Sequence, residues 1–520
     1  MRRLAALLLA SCLLAGCAAW EAEELEVEQG WESYQQLPAE EPEEPAEAEP
    51  EYPAAFSLAY QKGQTLDPIS CGEGVQEAIA SLLYEPLFRL DSQFQAVPLL
   101  CESYEWNEAG TVCTLTLRRD ALFSDGTQLT ARDVVETLQR AMASERYAYR
   151  LRNVAGAAAN RAGQVVITLA APDRGLPELL DIPIVKRGTG TSSVPTGTGP
   201  YLLVTGGGGA YLTANEDWWQ RKSFPVDTIP LVHAKDRDSA MYLFSSHQVE
   251  LLTVDPTDDL AFVTGQAQTA EQSTTIMQFI GFNTAGDRLF ADPALRRAFS
   301  RGIQREVLVN AQLADLALAA HFPVSPLSPL YPKDLEASSS AGETAAALRE
   351  AGQDTGDPKE LKLLVSSDDS FRANSARFIA SSLSMLDWTV TVEELPWEEY
   401  LAALESGEFD LYFGEVRLTA NWNLSDLVGT GGAMNYGGYT DGTTDALLAA
   451  FAAAGDRTAA ARQLMFQLQH SAPIAPICFK SYTVLTHPGV VEGVSPTPSF
   501  TFTGFDAWRI HLSAQNEQSE

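Results

Sequence analysis

Hydrophobic and polar positions along this chain follow two rhythms, and the rhythm changes along its length. Phe56 to Tyr60 alternates, which predicts a strand, and Val75–Leu83 has the spacing of a helix running into Tyr84-Glu85-Pro86-Leu87. Thr111–Leu117 and Gln164–Leu169 read as strands. Between them, Asp125-Gly126 marks a tight turn, and Thr130 with Asp133 forms a capping box that opens a helix over Ala131–Met142. From Lys186 to Gly199 the chain is rich in Gly, Ser and Thr and reads as a crossing between domains. Tyr201–Thr205 and Ala210–Asn215 then form a hairpin, and Thr275–Asn283 is a strand. Asp292 and Pro293 supply the cap and first residue of a helix over Ala294–Arg301, and Pro323–Pro332 is a proline-rich surface stretch.

The later region is more regular. Leu361–Ser366, Trp388–Glu394 and Phe409–Phe413 read as strands, with helices over Phe371–Leu386 and Trp397–Leu404 between them. A β-α-β-α-β series predicts an α/β fold with a largely parallel sheet, whose ligands sit beyond the carboxyl ends of the strands. That rule selects the loop after Phe413, from Glu415 to Asp426, as a candidate site. The loop holds Glu415, Arg417, Asn421 and Trp422. Arg417 suits a carboxylate or other anion, Glu415 suits an amine, and Trp422 between two amides suits a ligand wall. The plainer alternative pairs Glu415 with Arg417 and leaves only Trp422 to touch a ligand.

Charge adds the next layer. The chain has 520 residues, and 69 acidic against 35 basic side chains give a formal net charge of −34. That balance disfavours a nucleic-acid partner. More than a third of the deficit comes from Trp20–Pro53, with 13 Glu, five Pro and no Lys or Arg. Such a segment repels itself and cannot bury a core, so 18–55 reads as a disordered acidic tether. Ahead of it, Arg2 and Arg3, the apolar stretch Leu4–Ala15 and Leu14-Ala15-Gly16-Cys17 form a bacterial lipoprotein signal over 1–17. On that reading Cys17 is lipidated and anchors the chain to the outer face of a membrane; a plain secretory signal is the alternative. Beyond it no apolar run approaches the ~18–20 residues needed to cross a bilayer.

Chemistry of the enzymatic kind is sparse. The six His form no H-E-x-x-H, no G-x-S-x-G occurs, and the glycines of 188–199 complete neither a phosphate loop nor a dinucleotide fingerprint. No metal site and no cofactor is expected. Cys71, Cys101, Cys113 and Cys478 remain in an exported, disulfide-permissive body. Cys101 and Cys113 flank a hairpin turn at Asn107–Gly110 that would place Cys113 near Tyr104; a disulfide and buried free thiols both stay open.

Several segments carry a resemblance in order. They are Leu66-Asp67-Pro68, Leu83–Leu87, Leu117–Thr127, Leu129–Val135, Gly197–Tyr201, Gly281–Thr284, Asp292–Ile303 and Ala472–Ile477. Together they resemble the extracellular solute-binding proteins of family 5, the dipeptide/oligopeptide-type receptors of ABC importers, from about residue 56 to 512. The resemblance implies a periplasmic-binding-protein-like fold (type II, cluster C), a three-lobed hinged receptor. Lobe I would combine 56–84, 193–275 and 485–512; lobe II would be 85–192 and lobe III 276–484. It implies a monomeric, non-catalytic receptor that holds a peptide-like or small polar solute between lobes I and III and passes it to an ABC permease and ATPase. A ligand-presenting sensor and a secreted hydrolase are the rivals. By the same resemblance Gly72, Glu73 and Gly74 would meet the ligand backbone, and Tyr482 would face the cleft. The family's G-W-x-x-D-Y loop corresponds to Gly414–Trp422, where the Trp-x-x-Asp pattern is missing.

Overall fold

A mixed sheet of eleven strands forms the spine of the molecule. The computed structural model describes residues 52–257, 267–313, 316–352, 359–384 and 388–513, so the signal, Cys17 and most of the tether lie outside the described residues. Residues 52–55, which composition assigns to the tether, are described. Tyr52 stacks on His511 at 5.6 Å, and Pro53 O accepts from Ser513 N at 2.9 Å.

In chain order the strands of this sheet are β1 (Leu58–Tyr60), β2 (Tyr201–Gly206), β3 (Gly209–Ala214), β4 (Thr228–His233) and β5 (Leu251–Val254). β6 (Gln268–Phe282), β7 (Ala317–Ala319), β8 (Lys359–Ser366), β9 (Trp388–Leu395), β10 (Leu411–Arg417) and β11 (Ile474–Thr486) follow. Their spatial order is β9-β8-β10-β6-β11-β5-β1-β4-β3-β2, with β7 added against β11. The β-α-β-α-β expectation holds locally, because β8 runs parallel to both β9 and β10. Beyond them β6 pairs antiparallel with β10 and β11, so the sheet as a whole is mixed.

β6 and β11 are the two long strands, and they join the halves of the sheet. They pair with each other at both ends; at one end β11 also pairs with β5, and at the other β6 pairs with β10 and β11 with β7. Their ladder is interrupted between Ser273 and Met277, where β6 carries surplus residues. Thr274 and Thr275 fill the gap, their hydroxyls donating to Lys480 O and Leu418 O at 2.6 Å each. Sequence pattern predicts only Thr275–Asn283 of β6; the polar residues 268–274 show no apolar alternation because most of them are at least partly open to solvent.

Separate cores lie on either side of this interruption. One gathers Phe56, Leu82, Tyr201, Ile229, Phe505 and Trp508. Two others draw almost wholly on residues 277–479. Residues 85–192 build a four-stranded antiparallel sheet with its own core, including Leu115, Val134 and Ile167. The helix Ala131–Met142 begins there with the expected capping box. This body is joined closely to the first core. The Trp219 indole donates to Glu85 Oε2 at 2.6 Å, and Arg140 pairs with Asp67. The Gly197-Thr198-Gly199 crossing lies against the end of the helix Val75–Leu83. A Cβ at residue 197 would stand 2.1 Å from Leu83 O and one at residue 199 only 2.4 Å from Leu83 C, so only glycine permits the approach.

All four described cysteines are free and buried. Cys113 faces Trp106, because the turn closes two residues later than the sequence predicts, through Asn107 N to Val112 O at 3.0 Å. Among the described residues no helix is long and apolar enough to cross a membrane.

Candidate functional site

The candidate site forms where β10, β11 and the segment before the helix Val75–Leu83 converge. Residues Glu415–Arg417, expected in a loop, are the end of β10. The strand runs on past Phe413 because Gly414 lets the Phe279 ring lie against it; a Cβ there would be 2.5 Å from Phe279 Cζ. Glu415 and Arg417 therefore share one face of the strand.

Each has its own partners. Glu415 accepts from Gln278 Nε2 at 2.8 Å and lies 3.5 Å from Lys480 Nζ. Lys480 is 3% exposed and also donates to Asp255 Oδ2 and Thr257 Oγ1, both at 2.8 Å. Burial works against its charge, but Glu415 and Asp255 outweigh burial and hold its pKa above the ordinary lysine value. Two carboxylates thus face one ammonium. Asp369 adds to this field, although its nearest partner is Arg372 at 3.0 Å.

Arg417 donates to Tyr482 Oη at 2.8 Å and lies 3.8 Å from Glu73 Oε2. Its side chain is 52% exposed and that of Glu73 is 68% exposed, so the ion pair is weak and open to exchange. Burial raises the Tyr482 pKa, with Arg417 acting against it. Gly72, Glu73 and Gly74 are all exposed, and a side chain at residue 72 or 74 would meet nothing within 4 Å. Gly74 adopts φ 74° and its carbonyl accepts from Ala78 N at 2.9 Å, which aims this turn at the site.

One further property belongs to the backbone. β8 pairs with β10 only at Leu363↔Leu411 and Leu364↔Tyr412. Among the described residues, Phe413 to Arg417 have a strand partner only on the β6 side. Of the free edge, Phe413 O is engaged by the Tyr400 hydroxyl at 2.9 Å.

Asn421 and Trp422 lie elsewhere. Asn421 is buried and donates to Asp173 Oδ2 at 2.8 Å. Trp422 is 1% exposed, with φ 57°, and packs edge-on against Phe94 at 5.2 Å and Phe479 at 5.8 Å. Both spend their surface on protein neighbours. Of the eight sequence-selected residues, the structure brings Gly72, Glu73, Gly74, Glu415, Arg417 and Tyr482 together. Lys480, Asp255, Asp369 and Gln278 were not selected. Lys480 had a readable signal, since it is the only charged residue between Ile474 and Thr486.

Among the described residues no group of three or more His, Cys, Asp or Glu could hold a metal ion. The geometry is that of two α/β bodies joined by shared strands, with charged side chains from both meeting at the join. The sequence profile of the bacterial extracellular solute-binding proteins, family 5 (middle region), matches residues 95–431, and the chain belongs to that family.

Its fold is the three-lobed periplasmic-binding-protein type. The periplasmic murein tripeptide-binding protein MppA, in its unliganded open form, superposes with a TM-score of 0.74 at 19% identity, over 88% of this chain and 98% of that one. The oligopeptide-binding protein AppA of Bacillus subtilis, in complex with a nonapeptide, gives 0.60 at 19% identity, over 89% and 100%. At such identities the likeness concerns the fold alone. The glutathione-binding protein GsiB of Salmonella choleraesuis (strain SC-B67) is 27% identical over 278 residues, which is 50% of this chain and 54% of that protein. The chain spans about half the length of the curated relatives it matches.

Proposed function

We propose that the chain is the lipid-anchored, substrate-binding component of an ABC importer, and that its solute is a short peptide or amino-acid derivative carrying both an amino group and a carboxylate. The observation that supports this reading is the pairing of charges at the site. Among the described residues the carboxylate paired with Arg417 is the exposed Glu73 at 3.8 Å, so beside its bond to Tyr482 the guanidinium keeps donors for a ligand carboxylate. Asp255 and Glu415 together exceed Lys480 by one negative charge, which suits a ligand amine at Glu415. Residues 415 and 417 are two positions apart on one strand, about 6–7 Å, which matches the span of a very short peptide.

The unpaired edge of β10 offers backbone hydrogen bonds to an extended ligand in the manner of an added strand. The relative GsiB is named for glutathione, itself a tripeptide, which accords with this class. Closure of 56–84, 193–275 and 485–512 onto 276–484 would exclude water from the site and hold Glu73 beside Arg417, the 3.8 Å approach of this structure being the closed arrangement, while 85–192 forms the third lobe. Cys17, lipidated and left as the mature N-terminus, would hold the chain at the outer face of the membrane beside its permease, with 18–55 as the spacer.

The test is a thermal-shift and calorimetric screen of di- and tripeptides, glutathione among them, each with free, N-acetylated and C-amidated termini. The expected result is that a free peptide raises Tm and that blocking either terminus weakens binding at least about tenfold. Equal binding of free and doubly blocked peptides would overturn the zwitterion reading. Absence of binding across the whole set would overturn the peptide reading. Incorporation of labelled fatty acid into wild type but not into Cys17→Ala tests the anchor.

A further inference from the structure

Two large aromatic residues with left-handed backbones meet at a seam that the binding site does not use. Five described non-glycine residues have positive φ, and two of them, Phe94 at 63° and Trp422 at 57°, touch each other. Such backbones are uncommon for bulky side chains, so the surroundings must hold them. Phe94 sits in the turn Asp91–Gln95, where Asp91 Oδ1 accepts from Gln93 N at 2.8 Å and Gln95 N at 2.9 Å. Its ring leaves the core of its own body. It is 2% exposed within a cluster whose other buried members all come from 277–479.

The rest of the seam is polar and connects the same two bodies. Tyr149 Oη donates to Asp426 Oδ2 at 2.7 Å, and Arg152 pairs with the same oxygen at 2.9 Å. Arg174 N donates to Ala452 O at 2.8 Å. Asp173 accepts from Asn421, and Arg457 lies 3.5 Å from Glu178. No strand pairing crosses here among the described residues, whereas 85–192 is joined to the first body by Glu85 with Trp219, Arg140 with Asp67 and Arg146 with Cys71 O, and by its own chain crossings. The seam can therefore open without unfolding either side.

We propose that this seam is a built-in latch: residues 85–192, carried with the first body, clasp 276–484 and favour the closed arrangement through the chain's own contacts, whichever solute is bound. The latch biases the open-closed equilibrium before a ligand adds its share, so it sets how much of the ligand's binding energy closure consumes. It also explains the placement of Asn421 and Trp422, which act in closure at a distance from the charged site.

A single methyl group tests it. A Cβ at residue 175 would stand 2.7 Å from Asn421 Cβ and 2.9 Å from Arg457 Nη1. Residue 175 has no positive φ, and both clashing groups belong to the opposite body, so Gly175→Ala burdens the closed form and leaves the open one untouched. The experiment uses the full mature chain, freed of small molecules by unfolding and refolding. Spin labels go on Tyr242→Cys and Phe466→Cys, which are 67% and 58% exposed on helices of the two bodies.

Without added solute, wild type should show a dominant short distance. Gly175→Ala and Phe94→Ala should each shift the distribution to longer distances, cutting the closed fraction roughly tenfold, the scale expected when a packed contact is wedged or emptied. If both variants fold, as judged by circular dichroism, and their distributions match wild type, the latch does not exist. A predominantly open wild type would overturn it equally. Should Gly175→Ala fail to fold, Phe94→Ala decides. The readout needs no ligand, so its failure is distinct from failure of the peptide reading.

Discussion

Two buried cations lie along β11, and they are held in opposite ways. Arg305, 1% exposed, gives its guanidinium to backbone carbonyls: Ala320 O at 3.0 Å, Pro476 O at 2.8 Å and Ser300 O at 2.9 Å. Burial lowers its pKa to about 10. Lys480, four residues along from Pro476, is held by Asp255 and Glu415, and its pKa goes up. A cage of neutral carbonyls and one hydroxyl engages all three guanidinium nitrogens without adding charge, so it fixes chain positions and has nothing to trade. Paired carboxylates leave acceptor capacity and a charge imbalance that an incoming solute can complete. The first half of the strand is framework, and the second half is the exchangeable part.

The strongest way to break this comparison is Arg305→Leu. Four carbonyls and the Ser300 hydroxyl would lose a buried donor, and stability should fall by about 3–5 kcal/mol in a urea titration, with solute affinity of the folded fraction unchanged. A simultaneous loss of affinity would make Arg305 part of the site. Lys480→Met comes next. Asp255 and Glu415 are each about a fifth exposed and regain some hydration, so the stability loss should be smaller, about 2 kcal/mol, but peptide binding should collapse. Adding Glu415→Gln to it should restore part of the stability, since it removes one of the unpaired charges. Arg417→Met sharpens the contrast from the other side. Its side chain is half exposed, so Tm should hardly move, while affinity for a peptide with a free carboxylate should drop by about 1.5–3 kcal/mol in calorimetry.

The smallest effect lies just beyond the strand. Glu250 is buried, and burial raises its pKa to about 7 from 4.5. The folded state therefore holds a proton that the unfolded state releases. The stability it contributes is complete below about pH 4.5 and is lost as pH rises through about 7. Glu250→Gln should be more stable than wild type at pH 8, by something on the order of 1 kcal/mol, with the difference closing towards pH 5. His487, 3.8 Å away and stacked on His247, has a lowered pKa from burial and works in the opposite sense, losing stability as pH falls below its unfolded value. The wild-type profile is their sum, and the variant isolates Glu250.

Local signals made some of this architecture readable from sequence and left other parts hidden. The helices Val75–Leu83 and Ala131–Met142 have the bounds that spacing and capping predict, because both signals lie within the segments themselves. The reach of β6 and β11 was not readable, since residues 268–274 are paired by partners far along the chain and show no apolar pattern. At the site, Glu73, Arg417 and Tyr482 followed from family likeness combined with strand position. Lys480 did not, as no spacing rule links it to Asp255. Trp422 illustrates the limit from the other side. Flanked by two asparagines it reads as a ligand wall, but burial depends on Phe94 and Phe479, which no local pattern connects to it.

The surplus residues of β6 have a consequence for inheritance. In an uninterrupted strand, one inserted or deleted residue turns every later side chain to the opposite face. Here the ladder already breaks between Ser273 and Met277, and threonine hydroxyls bridge the gap. A length change next to Thr274, ahead of the Ile276–Arg417 pair, would be absorbed there, leaving the pairing of Gln278 with Glu415 on one side and of Gln272 with Tyr482 on the other intact. The two halves of the site can thus be rewritten by mutation independently, as separate lines on one page.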